Sequence, residues 1–108
     1  MTVYVDDYEG QFRRMIMCHM MSDESIEELI AMARKIGVNP KWIQHLGIPG
    51  KAVHFDICKS YRAKAIKAGA VELCIMTEDE KRNMEWQRVY RAARELNQQY
   101  IESQAMTV

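Results

Sequence analysis

The stretch Met15-Ile16-Met17-Cys18-His19-Met20-Met21-Ser22-Asp23 decides the fold. Side chains alternate along a strand, so Met15, Met17, His19 and Met21 share one face, and Ile16, Cys18 and Met20 share the other. Both faces are apolar, which predicts a strand covered on both sides inside a layered α/β domain. His19 is the strongly polar side chain within the run, so any site built on this strand centres on it. Ser22 and Asp23 then turn the chain toward a helix.

The chain has 108 residues, enough for one domain with a modest core of its own. Its 48% apolar and 28% charged residues fit a soluble globular protein. A formal net charge of zero gives no global field toward nucleic acid or a membrane surface. The run Met15 to Met21 is too short to span a bilayer. The N-terminal residues lack a basic segment and an apolar signal core, so the expected location is cytoplasmic. Cys18, Cys58 and Cys74 lack metal-finger spacing and read as reduced thiols. The methionines read as core filler, with soft-metal binding as the alternative on the Met15–Met21 face.

Before the central stretch, Thr2 to Val5 reads as a strand with Asp6 and Asp7 at its carboxyl end, where α/β sites gather. The two carboxylates would point to opposite sides, so only one would face a site; otherwise they form a turn. Tyr8 to Arg14 reads as a connector flexing at Gly10. Arg13 could hold a carboxylate or phosphate in a fork.

After it, Ser22 to Ile36 reads as a helix with a Ser25–Glu28 capping box, a buried stripe at Ile26, Leu29, Ile30, Ala33 and Ile36, and Gly37 as its stop. Asp23, four residues beyond His19, is close enough to orient it. Asn39-Pro40 opens a short helical turn through Gln44, and His45 to Lys51 reads as a mobile loop. Ala52 to Ile57 reads as a second, parallel-type strand that puts His54 and Asp56 on one face. An imidazole and a carboxylate so spaced suit a metal pair or an oriented general base; otherwise Asp56 caps the next helix beside an edge histidine. Lys59 to Ala68 reads as a helix whose N-terminus, with Lys59 and Arg62, could receive an anion. Ala70 to Met76 reads as a third, largely covered strand. Thr77-Glu78-Asp79-Glu80 opens a helix to about Ser103, with Gln104 to Val108 as a disordered tail. The resulting expectation is an α/β fold in two or three layers. It has a short, mostly parallel sheet of three or four strands, a compact unit over residues 1–76, and a C-terminal helix over 77–108. That helix would pack on the sheet or on a second copy as a homodimer.

Taken in order, Tyr4-Val5-Asp6-Asp7, Met17-Cys18-His19-Met20, Ser22-Asp23, Ile36-Gly37-Val38, Lys41-Trp42-Ile43-Gln44, His54-Phe55-Asp56-Ile57, Ser60, Arg62-Ala63 and Ala68-Gly69-Ala70-Val71-Glu72 resemble an uncharacterised bacterial and phage family, domain-of-unknown-function family 4031. The resemblance covers about residues 2 to 75 and leaves out the helix after Thr77. The chain departs from the pattern with Phe55 for a tyrosine, Tyr61 for a basic residue, and a longer loop at His45 to Lys51. The resemblance implies a shared site at Asp6, His19, Asp23, His54, Asp56 and Arg62, and a phage or prophage origin. It implies no chemistry.

Two functions compete. In the first, Asp6, His19, His54 and Asp56 form a catalytic or binding site. Asp6, His54 and Asp56 would be ligands for a divalent metal, and Arg13, Asp23, Gln44, Lys59 and Arg62 would contact a phosphate-bearing ligand, with hydrolysis as the reaction. In the second, the protein is a non-enzymatic accessory module that binds a host protein through its long helix and Met-rich run. The histidines would then be a satisfied polar network.

Overall fold

The structure is a computed structural model that describes residues 2–75 and 78–106. In chain order it contains β1 (Val3–Val5), β2 (Gly10–Phe12), β3 (Met15–Ser22), α1 (Ile26–Ile36), a 3-10 turn (Pro40–Trp42), β4 (Phe55–Cys58), α2 (Lys59–Lys67), β5 (Val71–Glu72) and α3 (Glu80–Ala105). No described helix is long and apolar enough to cross a membrane.

The α/β class and the long C-terminal helix are as the sequence predicts. The sheet is mixed, not mostly parallel: β1, β2 and β4 all run antiparallel to β3, and only β5 runs parallel, to β1. The reason lies at Arg13-Arg14. Phe12 pairs with Met15 across this two-residue connection, which makes β2–β3 a hairpin. Such hairpins favour Asn-Gly or Asp-Gly, which tolerate positive φ. Here Arg13 takes φ 57° without that signature, so the hairpin reads as a connector in sequence.

One edge of β3 carries β4; the other carries β1 and β2 end to end. Val5 pairs with Met20 and Gly10 with Met17, so residues 6–9 oppose only Cys18 and His19. The surplus residues leave the ladder and form the loop on which the site is built.

The alternation of β3 holds. Cys18 and Met20, with Val3, Val5, Phe55 and Ile57, pack against Leu29, Ala33 and Ile36 of α1 and Ala65 of α2. On the opposite face Tyr4 and Met21, with Ala52 and Leu73, pack against Val89 and Ala93 of α3. The architecture is therefore three-layered. Ser25 caps α1 by accepting the Glu28 N–H at 3.0 Å, and Gly37 closes it at φ 90°. The expected strand Ala70 to Met76 shortens to Val71–Glu72, both exposed at the sheet edge. Its partner β1 ends where Asp6 leaves the ladder, and the Ile75 N–H is taken by Asp7 Oδ1 at 2.7 Å. Met76, and Thr77 of the expected capping box, lie outside the described residues; the N-cap is Asp79, which accepts from Lys81 and Arg82. Helix α3 includes Gln104 and Ala105, and Thr107 and Val108 are outside the described residues.

The loop His45 to Lys51 is tied down rather than mobile. Asn97, 1% exposed in the middle of α3, accepts from the Gly47 N–H at 2.8 Å, and the carbonyls of His45, Ile48 and Lys51, all 2.9–3.0 Å from its Nδ2, share its two N–H groups. An asparagine is needed because one end must accept and the other donate. Asn97→Leu strands these backbone groups, and we predict a loss of about 2–3 kcal/mol in denaturant unfolding. Asn97→Asp, which cannot donate, will not restore it. A loss below about 0.5 kcal/mol in both variants would contradict this role.

Candidate metal centre

The site grows from the break between β1 and β2. Asp6 leaves the strand but stays opposite His19. Its N–H donates to the His19 carbonyl at 3.0 Å, and its Oδ1 accepts the His19 N–H at 2.8 Å and the Tyr8 N–H at 3.2 Å. A side-chain oxygen thus replaces the ladder carbonyl that the bulged chain no longer supplies. The Asp6 Oδ2 lies 2.7 Å from His19 Nδ1, and the carboxylate is 1% exposed. Asp7 points elsewhere, to the Ile75 N–H, so the pair divides as the strand alternation predicts.

Since Asp6 acts as acceptor throughout, His19 Nδ1 carries the proton and Nε2 is the outward nitrogen. His54 is arranged alike. Its Nδ1 lies 2.9 Å from the Ala52 carbonyl, which can only accept, so its outward nitrogen is also Nε2. Both nitrogens face Asp56 Oδ1, His54 at 3.2 Å and His19 at 3.9 Å. The register that pairs His19 with Asp56 across β3 and β4 creates this convergence, and the bridge between Gln44 and His54 extends it. His19, His54 and Asp56 each offer a ligand atom, all within 4.8 Å of one another.

Two imidazole lone pairs and a carboxylate oxygen repel one another unless a cation lies among them. A proton or a metal ion can fill that role. Each histidine is held from behind, one by a carboxylate and one by a backbone carbonyl, the arrangement that fixes metal-ligating imidazoles.

Charge follows the same geometry. Burial opposes charging of His19, but the Asp6 hydrogen bond and the charges of Asp6 and Asp56 prevail and raise its pKa. Where a proton fills the gap, the hydrogen bond from His54 Nε2 holds the Asp56 carboxyl below its usual range. Burial, with Asp6 nearby, pushes the Cys18 thiol up to about 12, so it stays a neutral core group.

A cavity of about 500 Å³ opens in front of the three donors, with Tyr8, Phe12, Met17, Met21, Gln44, His45 and Tyr90 among its walls. The Tyr8 ring stacks on His19 at 4.7 Å between centroids and 16° between planes. Gly10 permits this, since a Cβ there would collide with the Tyr8 ring. His45 sits edge-on to His54 at 5.1 Å. The strand patterns point to His19 and the His54–Asp56 pair but not to His45, which is a loop residue held at φ 65°. Burial lowers its pKa first, with His54 and Lys51 adding to the effect. Its strained backbone beside a cleft is the signal that could mark it, and that signal exists only in three dimensions.

The remaining expected site residues are dispersed. Asp6, not Asp23, orients His19. Asp23 instead accepts from the Tyr4 hydroxyl at 3.1 Å and from Arg88 at 3.3 Å, joining β1 to α3. Arg62 donates to the Asp6 carbonyl at 2.9 Å and pairs with Glu72. Lys59 pairs with Glu9. Both lie along a separate cavity of about 370 Å³ that also touches Ile16 and Cys18 on the other face of β3. Arg13 lies over the Phe12 ring at 5.4 Å to its centroid. Phe55 is fully buried on the opposite face of β4 from Asp56.

The family model described as "Protein of unknown function (DUF4031)" matches residues 3–85. The chain belongs to that family. The match runs past the sequence resemblance into the first turns of α3. No curated protein and no solved structure matches the chain.

The Asp6–His19 pair has a direct consequence for pH. A raised His19 pKa contributes stability that is fully present below its unfolded value near 6.5 and is lost as pH rises through the folded value. We predict that, in chelator-treated protein, His19 titrates above that value by NMR. Asp6→Asn should lower the midpoint and remove the low-pH stabilisation. An unchanged midpoint in the variant would contradict the assignment of Asp6 as its partner.

Proposed function

We propose that the protein binds a divalent transition metal through His19 Nε2, His54 Nε2 and Asp56, and uses it to activate water for hydrolysis of a small ligand held in the adjoining cavity. The observation that carries this reading is the convergence of two backed imidazoles and one carboxylate on a single point beside an open cavity. Two histidines and a carboxylate are a donor set found in catalytic zinc sites and in non-haem iron sites, which keep coordination positions open for substrate. A bound metal would lower the pKa of coordinated water toward neutrality and polarise a carbonyl or phosphoryl oxygen.

The donor roles sharpen those expected from sequence. His19, expected in the catalytic group but not among the metal ligands, becomes a ligand. Asp6 becomes the group that fixes the His19 tautomer rather than a ligand, because its Oδ2 is already committed to Nδ1. His45, beside the donors, is the nearest candidate for moving a proton.

Thermal melting against a panel of divalent ions tests the reading. At about a hundred times its dissociation constant, a metal stabilises by about 2.7 kcal/mol, a rise of roughly 10 °C or more for a domain of this size. We expect that shift with Zn²⁺, Co²⁺ or Ni²⁺ and not with Mg²⁺, which prefers oxygen donors. Asp56→Asn, at a half-exposed position, should keep the metal-free melting temperature and lose most of the shift, as should His54→Ala. Equal shifts in wild type and both variants would refute the site.

A further inference from the structure

The metal reading leaves the ligand undefined, and the cavity walls narrow it. The first consideration is charge. A divalent ion at His19, His54 and Asp56 is balanced by Asp56 itself and by Asp6 behind His19. No lysine or arginine lines this cavity among the described residues. Lys59 and Arg62 are committed to Glu9 and Glu72 along the other cavity. Arg13 and Arg94 lie over the wall rings Phe12 and Tyr90, at 5.4 and 5.2 Å from their centroids, and are not themselves lining groups. A phosphate at the donors would thus meet no guanidinium or ammonium on the walls of its own cavity.

The second consideration is shape and surface. Beside the donors stand Tyr8, stacked on the His19 ligand ring, then Phe12 and Tyr90, with Met17 and Met21 beneath. Tyr8 is 43% and Phe12 53% exposed, large aromatic surfaces turned toward solvent at the site. Flat rings and thioethers gain most from a flat, apolar partner. The volume of about 500 Å³ suits a ligand of one or two rings.

We infer that the ligand is a neutral, planar aromatic molecule that presents a donor atom to the metal, and not a phosphate ester. This inference rests on the metal reading and identifies the substrate class of the same site. Tyr8 and Phe12 act as its specificity surface, covering the ring while the metal takes the donor atom.

The test uses the Co²⁺-loaded full chain and its visible absorption, with three probes. 4-Phenylimidazole is a neutral donor with a ring, imidazole is the same donor without it, and phenylphosphonate has the ring with an anionic head. We expect 4-phenylimidazole to perturb the cobalt bands at about a tenth of the concentration that imidazole needs. That advantage, taken as the ratio to imidazole within the same variant, should shrink severalfold in Tyr8→Ala and Phe12→Ala. Phenylphosphonate should bind more weakly than 4-phenylimidazole. If phenylphosphonate binds as tightly or more tightly, or if the ring gives no advantage, the ligand class is wrong while the metal centre stands. If Co²⁺ gives no protein-bound spectrum at all, the metal reading falls and this inference falls with it.

Discussion

The fold and the site both depend on the Asp6 carboxylate filling a gap in a β-ladder. Four residues face two where β1 gives way to β2, and a buried backbone N–H at His19 would be left without an acceptor. Asp6 supplies that acceptor, takes a second N–H from Tyr8, and with its other oxygen holds His19 Nδ1. A buried carboxylate is costly unless hydrogen bonds and a partner charge offset its desolvation. Here those compensations set the tautomer of a potential metal ligand. The irregularity that repairs the sheet also aims the imidazole, and bulges beside functional sites commonly serve to re-aim a side chain.

Three layers meet at this point. α1 and α2 cover the Cys18 and Met20 face of β3 and keep it dry. α3 covers the other face only in part, over Tyr4 and Met21, so Met17 and His19 are left lining an open cavity. The same helix reaches the far wall through Asn97, whose bonds fix the loop that carries His45. The site is therefore built between layers, with its donors on paired strands and its walls contributed by α3 and two loops. Donors on paired strands can hold a narrow geometry that loops alone hold less well.

Much of this was legible in the residues. Alternation put His19 on one face of β3, as the structure has it, and His54 with Asp56 on one face of a strand from Ala52 to Ile57. That strand begins only at Phe55, but His54, just before it in an isolated bridge to Gln44, does face Asp56. The α/β class, the capping of α1 and the extent of α2 followed from local signals that tertiary packing did not override. The strand directions were not legible, because the Arg13-Arg14 hairpin carries none of the residues that usually announce one. The distribution of charge was also hidden. Arg62 and Lys59 are near His54 and Asp56 in sequence, yet a strand-to-helix transition sends them to the opposite face of the sheet. His45 and Asn97 were invisible because their roles depend on residues about fifty positions apart, which no local pattern connects.

The central claim is that His19, His54 and Asp56 share one metal ion. The most direct measurement is X-ray absorption at the metal edge of protein loaded with one equivalent of Zn²⁺. The account predicts a shell of nitrogen and oxygen neighbours at about 2.0–2.2 Å, with the outer-shell scattering of two imidazoles and no sulfur. A shell made of oxygen alone, or one containing sulfur near about 2.3 Å, would contradict it.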